Sequence, residues 1–195
     1  KFYRFANVKI GLYRLQKDKD NKKIMKEQFT TERLSLTRLA QTDADFIFEL
    51  VNTPAWIKYI GDRNIKSKEN AANYIERILI NPDIIYWVVQ LTGVQIAVGI
   101  ITFIKRDYLA HHDIGFAFLP VYTQKGLAFE AAFTVLNQLL KMPAHRHILA
   151  TTIKENNASV QLLKKLGFAW QQEINSGNDI LDVYGITEDK LIIPQ

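Results

Sequence analysis

Two short stretches of this chain carry residue types at spacings that could do chemistry. "LPVYTQKGLAFEAAF", residues 119–133, runs from an apolar strand end through a turn with one cation, Lys125, and one glycine, Gly126, into an amphipathic helix. The first N–H groups of a helix have no intrahelical partner, and the helix dipole adds roughly half a positive charge there. Such a turn suits an anion, most often phosphate. Gly126 lets the backbone approach a ligand closely, Lys125 adds a full charge, and Thr123 adds a hydroxyl. The plain alternative is a tight turn with a solvated lysine. The second stretch, "ENNASVQLLKKLGF" (155–168), follows a strand. Asn156 is a natural helix cap, Ser159 offers a hydroxyl near the strand end, and Gly167 closes the helix.

A third candidate is Asp113 in "HDIGFAFL" (112–119), which alternates as a strand. It shares a face with Gly115 and Ala117, whose small size leaves room for a ligand. A carboxylate there could serve as a general base, directly or through water. Its alternative is an edge-strand charge facing solvent. His111, Asp113, His145 and His147 form i, i+2 pairs on neighbouring strands, but strand-end histidines read as solvated, and no metal site is expected.

These residues need a scaffold. "RLSLTRL" (33–39) alternates as a strand; "QTDADFIFELVN" (41–52) has helical spacing, with Thr42 and Asp45 as a capping pair and Pro54 as its breaker. "SKENAANYIERILIN" (67–81) is a second helix capped by Ser67. Strands are expected over 84–91 and 95–106 around Thr92-Gly93, then over 112–119. Leu127, Ala131, Val135 and Leu139 give a helix to about Lys141 one buried face. A strand at 146–153, the helix at 157–168 and a hairpin across Asn175 to Asn178 complete a mixed α/β layer fold with one crossover helix.

Bulk properties exclude several classes. The chain has 195 residues and no cysteine, which removes disulfides and thiolate chemistry. There is no long apolar run of membrane-spanning length. The net charge of +5 resides in residues 1–24, which sum to +6, whereas the remainder sums to −1, so the globular part lacks a phosphate-backbone footprint. Residues 1–29 therefore read as a basic extension or linker and 30–195 as the folded domain. Met25 directly follows the charge run "KDKDNKK", so residues 1–24 are expected to be a non-native addition, with a native basic arm as the alternative.

Four segments in order, "TTERLSLTRLAQTDADFIFEL", "HDIGFAFLPVYTQKGLAFEAAF", "NNASVQLLKKLGF" and "DILDVYGIT", resemble the Gcn5-related N-acetyltransferase (GNAT) superfamily, specifically its RimJ/RimL-like branch acting on ribosomal-protein N-termini. The resemblance runs from about Thr30 to Asp189. It implies a mostly antiparallel sheet of about seven strands, splayed between the fourth and fifth, with helices on both faces. It implies acetyl-CoA as co-substrate, no metal, and a primary amine as acceptor, a ribosomal-protein N-terminus included. Diphosphate would sit on Thr123, Gln124, Lys125, Gly126, Leu127 and Ala128. Phe118, Leu119, Asn156 and Ser159 would meet the rest of the cofactor, with a backbone N–H near Phe116 to Leu119 as oxyanion donor. Asp113 would act as base and Ser159 as thiolate acid. Trp56, Tyr59, Arg63 and Asn64 would line the acceptor side. The chain departs from the family pattern at Thr123, where a long donor is usual, at Gln124, where glycine is common, and at Leu163, where many members carry a tyrosine. These departures motivate an alternative, a catalytically degenerate CoA-binding or protein-interaction module. The reading further expects a cytoplasmic monomer or homodimer that engages neither nucleic acid nor membrane.

Overall fold

A computed structural model describes residues 28–177 and 179–193. The basic stretch 1–24 and Met25 lie outside the described residues. Eight strands form one sheet in the order β1-β2-β3-β4-β5-β6-β8-β7. They are β1 (Gln28–Thr30), β2 (Leu34–Arg38), β3 (Ile84–Leu91), β4 (Ala97–Ile104), β5 (Asp113–Phe118), β6 (His147–Ile153), β7 (Ala169–Ser176) and β8 (Asp179–Thr187). Every neighbouring pair is antiparallel except β5 and β6. The strand beyond the expected seven is β1. Three residues are too few for a period-two signal, yet Phe29 is buried edge-to-face on Trp87 at 5.7 Å. Gln28 and Phe29 thus belong to the sheet rather than to the leader.

Among the described residues, five α-helices cover the two faces. α1 (Ala44–Val51), α2 (Pro54–Tyr59) and α3 (Lys68–Ile80) share one buried cluster with Tyr86, Val88 and Ile100 of the sheet. α4 (Leu127–Leu139) and α5 (Asn157–Leu166) share the other, with Trp87, Ile101, Phe103 and Ile114. The face expected of α4 is buried through Leu127, Ala131, Val135 and Leu139. Each large aliphatic side chain so buried contributes roughly 1.5–3 kcal/mol. Gly167 closes α5 with a positive φ of 103°.

The entry to α1 differs from the expected Thr42–Asp45 pair. A 3-10 turn over Gln41–Asp43 precedes it, and Asp43 Oδ2 accepts from the Ala40 N–H at 2.8 Å. Asp45 instead pairs with Lys68 at 2.7 Å. Pro54 begins α2 rather than merely ending α1: at the first helical position its missing N–H costs nothing, and Thr53 Oγ1 accepts from the Trp56 N–H.

The site depends on where β5 and β6 part. Only Asp113 and Leu149 pair across these two strands, with the Leu149 N–H bonded to the His112 carbonyl. The Thr151 N–H, next in line to continue a parallel ladder, donates instead to Asp113 Oδ1 at 3.0 Å. A side-chain carboxylate thus takes the place of a strand carbonyl, and beyond it the strands pair no further. α4 starts where this gap opens.

Candidate active site

The turn from β5 into α4 follows a 3-10 turn at Pro120–Tyr122. Two of its residues lie in the left-handed region, Gln124 at φ 58° and Gly126 at φ 75°. Gly126 is the cap of α4 and adopts this conformation without cost; Gln124 holds it against steric preference. Successive N–H groups in such a turn, joined by the open N–H groups at the start of α4, make a nest suited to an anion. Thr123, Gln124 and Lys125 are exposed, Ala128 is half-buried, and Leu127 is buried in the core. The Thr123 hydroxyl donates to the Pro120 carbonyl at 2.8 Å, and Lys125 Nζ stands 5.5 Å over the Tyr122 ring.

One cation at this turn is not evident from the local sequence. Arg33, at the start of the β2 segment, donates from Nη1 to the Lys125 carbonyl at 3.1 Å and from Nε to Glu130 Oε2 at 2.7 Å. Glu130 also accepts from Thr31 Oγ1 at 2.5 Å. Arg33 and Lys125 are 92 residues apart in the chain, so only the β2–α4 packing could reveal the pair. Nε and Nη2 of Arg33 both meet Oε2 of Glu130, and this contact leaves the guanidinium beside the nest.

Along the gap the backbone supplies donors. The Leu119 N–H is engaged with the Val98 carbonyl at 2.9 Å. In an antiparallel ladder the pattern alternates, so the N–H groups of Phe116 and Phe118 face away from β4, into the gap. By the same alternation Ile153 of β6 presents its N–H from the other side. Leu119, expected among the cofactor contacts, therefore has its amide committed elsewhere. Phe118 lies directly across from Gly99, where an added Cβ would come within 2.5 Å of the phenylalanine ring. Gly99 thus admits the ring over β4.

Asn156 caps α5 by accepting from the Ser159 N–H at 3.2 Å. Ser159 is half-buried, and its hydroxyl has no hydrogen-bond partner among the described residues. Leu163, one turn on, is 1% exposed and packed in the core, so this position does not face solvent.

Asp113 is 2% exposed. Its Oδ2 accepts from Arg106 Nε at 2.5 Å and its Oδ1 from Thr151. Burial pushes its carboxyl above the usual carboxylate range, against the opposing pull of Arg106 and Thr151. Its side chain is 3% exposed, so an incoming amine cannot reach the carboxylate without moving the groups that cover it.

On the same sheet face, Tyr86, Thr102 and Gly115 lie in one row across β3, β4 and β5. Tyr86 Oη is 3.4 Å from Tyr74 Oη of α3. Burial raises the Tyr86 phenol, Tyr74 adds to this, and Arg63 and Arg106 oppose it electrostatically. Of the expected acceptor-side residues, Arg63 and Asn64 are exposed and Tyr59 is half-buried, whereas Trp56 is a 4% exposed core residue. The sequence reading did not single out Tyr74 and Tyr86, because both sit in apolar patterns that read as packing.

The four histidines gather at the joined end of β5 and β6. The His111 and His147 rings are 4.5 Å apart, and His112 lies between the rings of Phe103 (4.6 Å) and His145 (4.7 Å). They are packed against one another rather than simply solvated. Among the described residues no group of three or more His, Asp or Glu could hold a metal ion, and no helix is long and apolar enough to cross a membrane.

Comparison with known proteins agrees with this geometry. Residues 33–169 match the family model of the acetyltransferase (GNAT) domain. An uncharacterized N-acetyltransferase of Bacillus subtilis, YnaD, is 30% identical over 162 residues, covering 80% of this chain and 92% of that protein. The crystal structure of a GNAT-family acetyltransferase from Bacillus anthracis superposes with a TM-score of 0.70 at 28% identity, over 83% of this chain and 99% of that one. A microcin self-immunity acetyltransferase, MccE, solved with acetyl-CoA and AMP, shares the fold at 15% identity, with a TM-score of 0.70 over 80% and 93% of the two chains. The family-model match and the Bacillus subtilis relative make this chain a member of the GNAT acetyltransferase family, whose solved members share its eight-stranded mixed sheet fold. It is an acyltransferase by class.

Proposed function

We propose that the protein moves an acetyl group from acetyl-CoA to a primary amine by direct attack. The observation that carries this reading is the nest at Thr123–Gly126, set where β5 and β6 part and backed by Arg33. The diphosphate of CoA fits donors of this kind. The pantetheine arm lies in the gap, its amides on the free backbone groups of β5 and β6, a small-molecule version of strand addition.

The acceptor must arrive as a neutral amine. An α-amine titrates near 7.7–8.0, against about 10.4 for lysine, so an α-amine asks least of a base. The α-amine of a protein N-terminus, as in the ribosomal-protein branch, or of a small molecule meets this requirement. Its nitrogen attacks the thioester carbonyl carbon, and the carbonyl oxygen gains a negative charge held by the Phe116 or Phe118 N–H. The C–S bond then breaks, the amine proton passes to water, and the thiolate takes a proton from Ser159, which regains one from water, or directly from water that Ser159 holds. Asp113 acts here by holding Arg106 and the parted strands, not by touching the amine.

Isothermal titration with CoA, followed by a thiol-release assay with acetyl-CoA and a panel of amines, tests the reading. CoA binding with turnover on at least one amine is expected. Binding without turnover on any amine would favour the degenerate module instead, and no binding of CoA would sink both.

A further inference from the structure

On the face covered by α1–α3, the middle of β5 is bare. Gly115 and Ala117 are only half-buried although their strand lies well inside the sheet, with β4 on one side and the parting towards β6 on the other. Thr102 of β4 sits directly across from Gly115 on this face. It is 9% exposed, and its hydroxyl has no hydrogen-bond partner among the described residues. The hydroxyl leans over β5: a Cβ added at Gly115 would come within 2.6 Å of Thr102 Oγ1. It is not sealed away either, because Trp56 Nε1 is the one fully enclosed side-chain polar atom without a partner among the described residues. An unpaired hydroxyl on so buried a side chain is rare in native proteins and calls for a group that completes it.

The polar groups nearest in the fold are taken. Tyr86 Oη, in the same row, lies 3.4 Å from Tyr74 Oη. Asp113 is held by Arg106 and Thr151. Across the parting, Thr151 stands two residues beyond the Asp113–Leu149 pair, level with Gly115, and its hydroxyl is turned to Asp113 Oδ1 at 3.4 Å. That leaves Thr102 Oγ1 as the open oxygen beside Gly115. The next residue, Phe116, turns its N–H into the gap, where the thioester carbonyl is received. A nitrogen that attacks this carbonyl from the bare face passes over Gly115 and under the Thr102 hydroxyl.

We propose that Thr102 Oγ1 accepts a hydrogen bond from the N–H of the acceptor amine and so holds the nitrogen over Gly115 with its lone pair towards the thioester carbonyl carbon. The proposal rests on the acetyltransferase reading above and deepens it. A neutral primary amine has two hydrogens and one lone pair, so a contact to one hydrogen orients the nitrogen and leaves the lone pair free. A hydroxyl oxygen has two lone pairs and accepts without ionising. As the C–N bond forms the nitrogen gains positive charge and its N–H becomes a better donor. The contact therefore strengthens in the transition state, where it lowers the barrier.

Probes tethered to CoA test this whatever the natural acceptor is, and without turnover. CoA carrying an S-linked N-methylacetamide places a nitrogen with one hydrogen where the acceptor nitrogen would stand; the S-linked N,N-dimethylacetamide places one with none. Both are compared with CoA by calorimetry. The unaltered protein should bind the N–H probe about tenfold more tightly than the dimethyl probe. In Thr102→Val the two should agree within about twofold with CoA affinity unchanged, and Thr102→Ser should keep the preference. If Thr102→Val does not bind CoA, Thr102→Ala replaces it with the same expectation. No preference for the N–H probe in the unaltered protein overturns the proposal. So does a preference that survives removal of the hydroxyl or is lost in Thr102→Ser, or the failure of both probes where CoA still binds. Failure of the unaltered protein to bind CoA counts instead against the acetyltransferase reading.

Discussion

Asp113 and Arg106 share one contact but not one fate on substitution. Asp113 is buried and Arg106 keeps a third of its side chain exposed. Arg106→Met leaves a buried carboxylate without its cation, which should cost about 3 kcal/mol in urea unfolding at neutral pH. Asp113→Asn leaves an acceptor for Thr151 and an arginine that can turn to solvent. Because burial raises the folded-state pKa of Asp113, holding it ionised at neutral pH is already unfavourable relative to the unfolded chain. Asp113→Asn should therefore change stability by no more than about 1 kcal/mol. Its kinetic signature is separate: were Asp113 the base, kcat/KM would lose its acidic limb, whereas the expected outcome is a limb that stays, set by the acceptor amine. Ser159→Ala should lower kcat with little change in CoA affinity, by about tenfold if the hydroxyl gives a hydrogen bond and by 10²-fold or more if it gives a proton. Sequence reading could place Asp113 on β5 and Ser159 in the first turn of α5, because strand alternation and the Asn156 cap suffice. It could not see that Asp113 is occupied, since its partner Thr151 is 38 residues away and Arg106 stands in an irregular segment.

At the scale of elements, the mouth of α4 combines an anion nest with an anionic side chain. Glu130 in the first turn benefits from the helix dipole, but its charge would repel a diphosphate were it not matched by Arg33. Arg33→Ala should weaken CoA binding by about tenfold, and the double change Arg33→Ala with Glu130→Gln should recover part of the loss. Calorimetry on the three proteins measures both effects. A larger loss in the double variant than in Arg33→Ala would show that Glu130 supports the nest directly. The helix itself was legible from its four-residue apolar spacing, and the turn from Gly126. Gln124 was legible only as a departure from expectation; its left-handed backbone is one that glycine adopts without cost. Pro54 misled because proline marks both helix ends and helix starts, and only the Thr53 cap decides between them.

Over the whole molecule, the joined end of β5 and β6 is sensitive to acid. His112 is held down to about 4, first by burial and then by His145, Lys105 and His111; burial also lowers His145 and His147. The unfolded chain protonates these rings near 6.5. Stability is thus full above that value and is lost as pH falls from about 6.5 towards 4. Thermal melts across this window should show Tm falling with acid, and His112→Phe, which keeps the stack on Phe103, should flatten the slope. An unchanged slope would place the acid sensitivity elsewhere. The sheet's alternating strands, its crossover helix and its final hairpin were all readable from period and turn residues. Of the histidines, the pairs on neighbouring strands were readable too, but the placing of His112 between Phe103 and His145 was not, because it depends on how the strand ends pack.

That topology also bears on biosynthesis. β8 lies between β6 and β7 although it is made after both. Until Thr187 has left the ribosome, β6 has one rim without hydrogen-bond partners and β7 has no place to dock. A nascent chain stalled within the last hairpin would therefore present a bare strand to its neighbours on the polysome, a hazard that ends when β8 slides in and zips both sides at once.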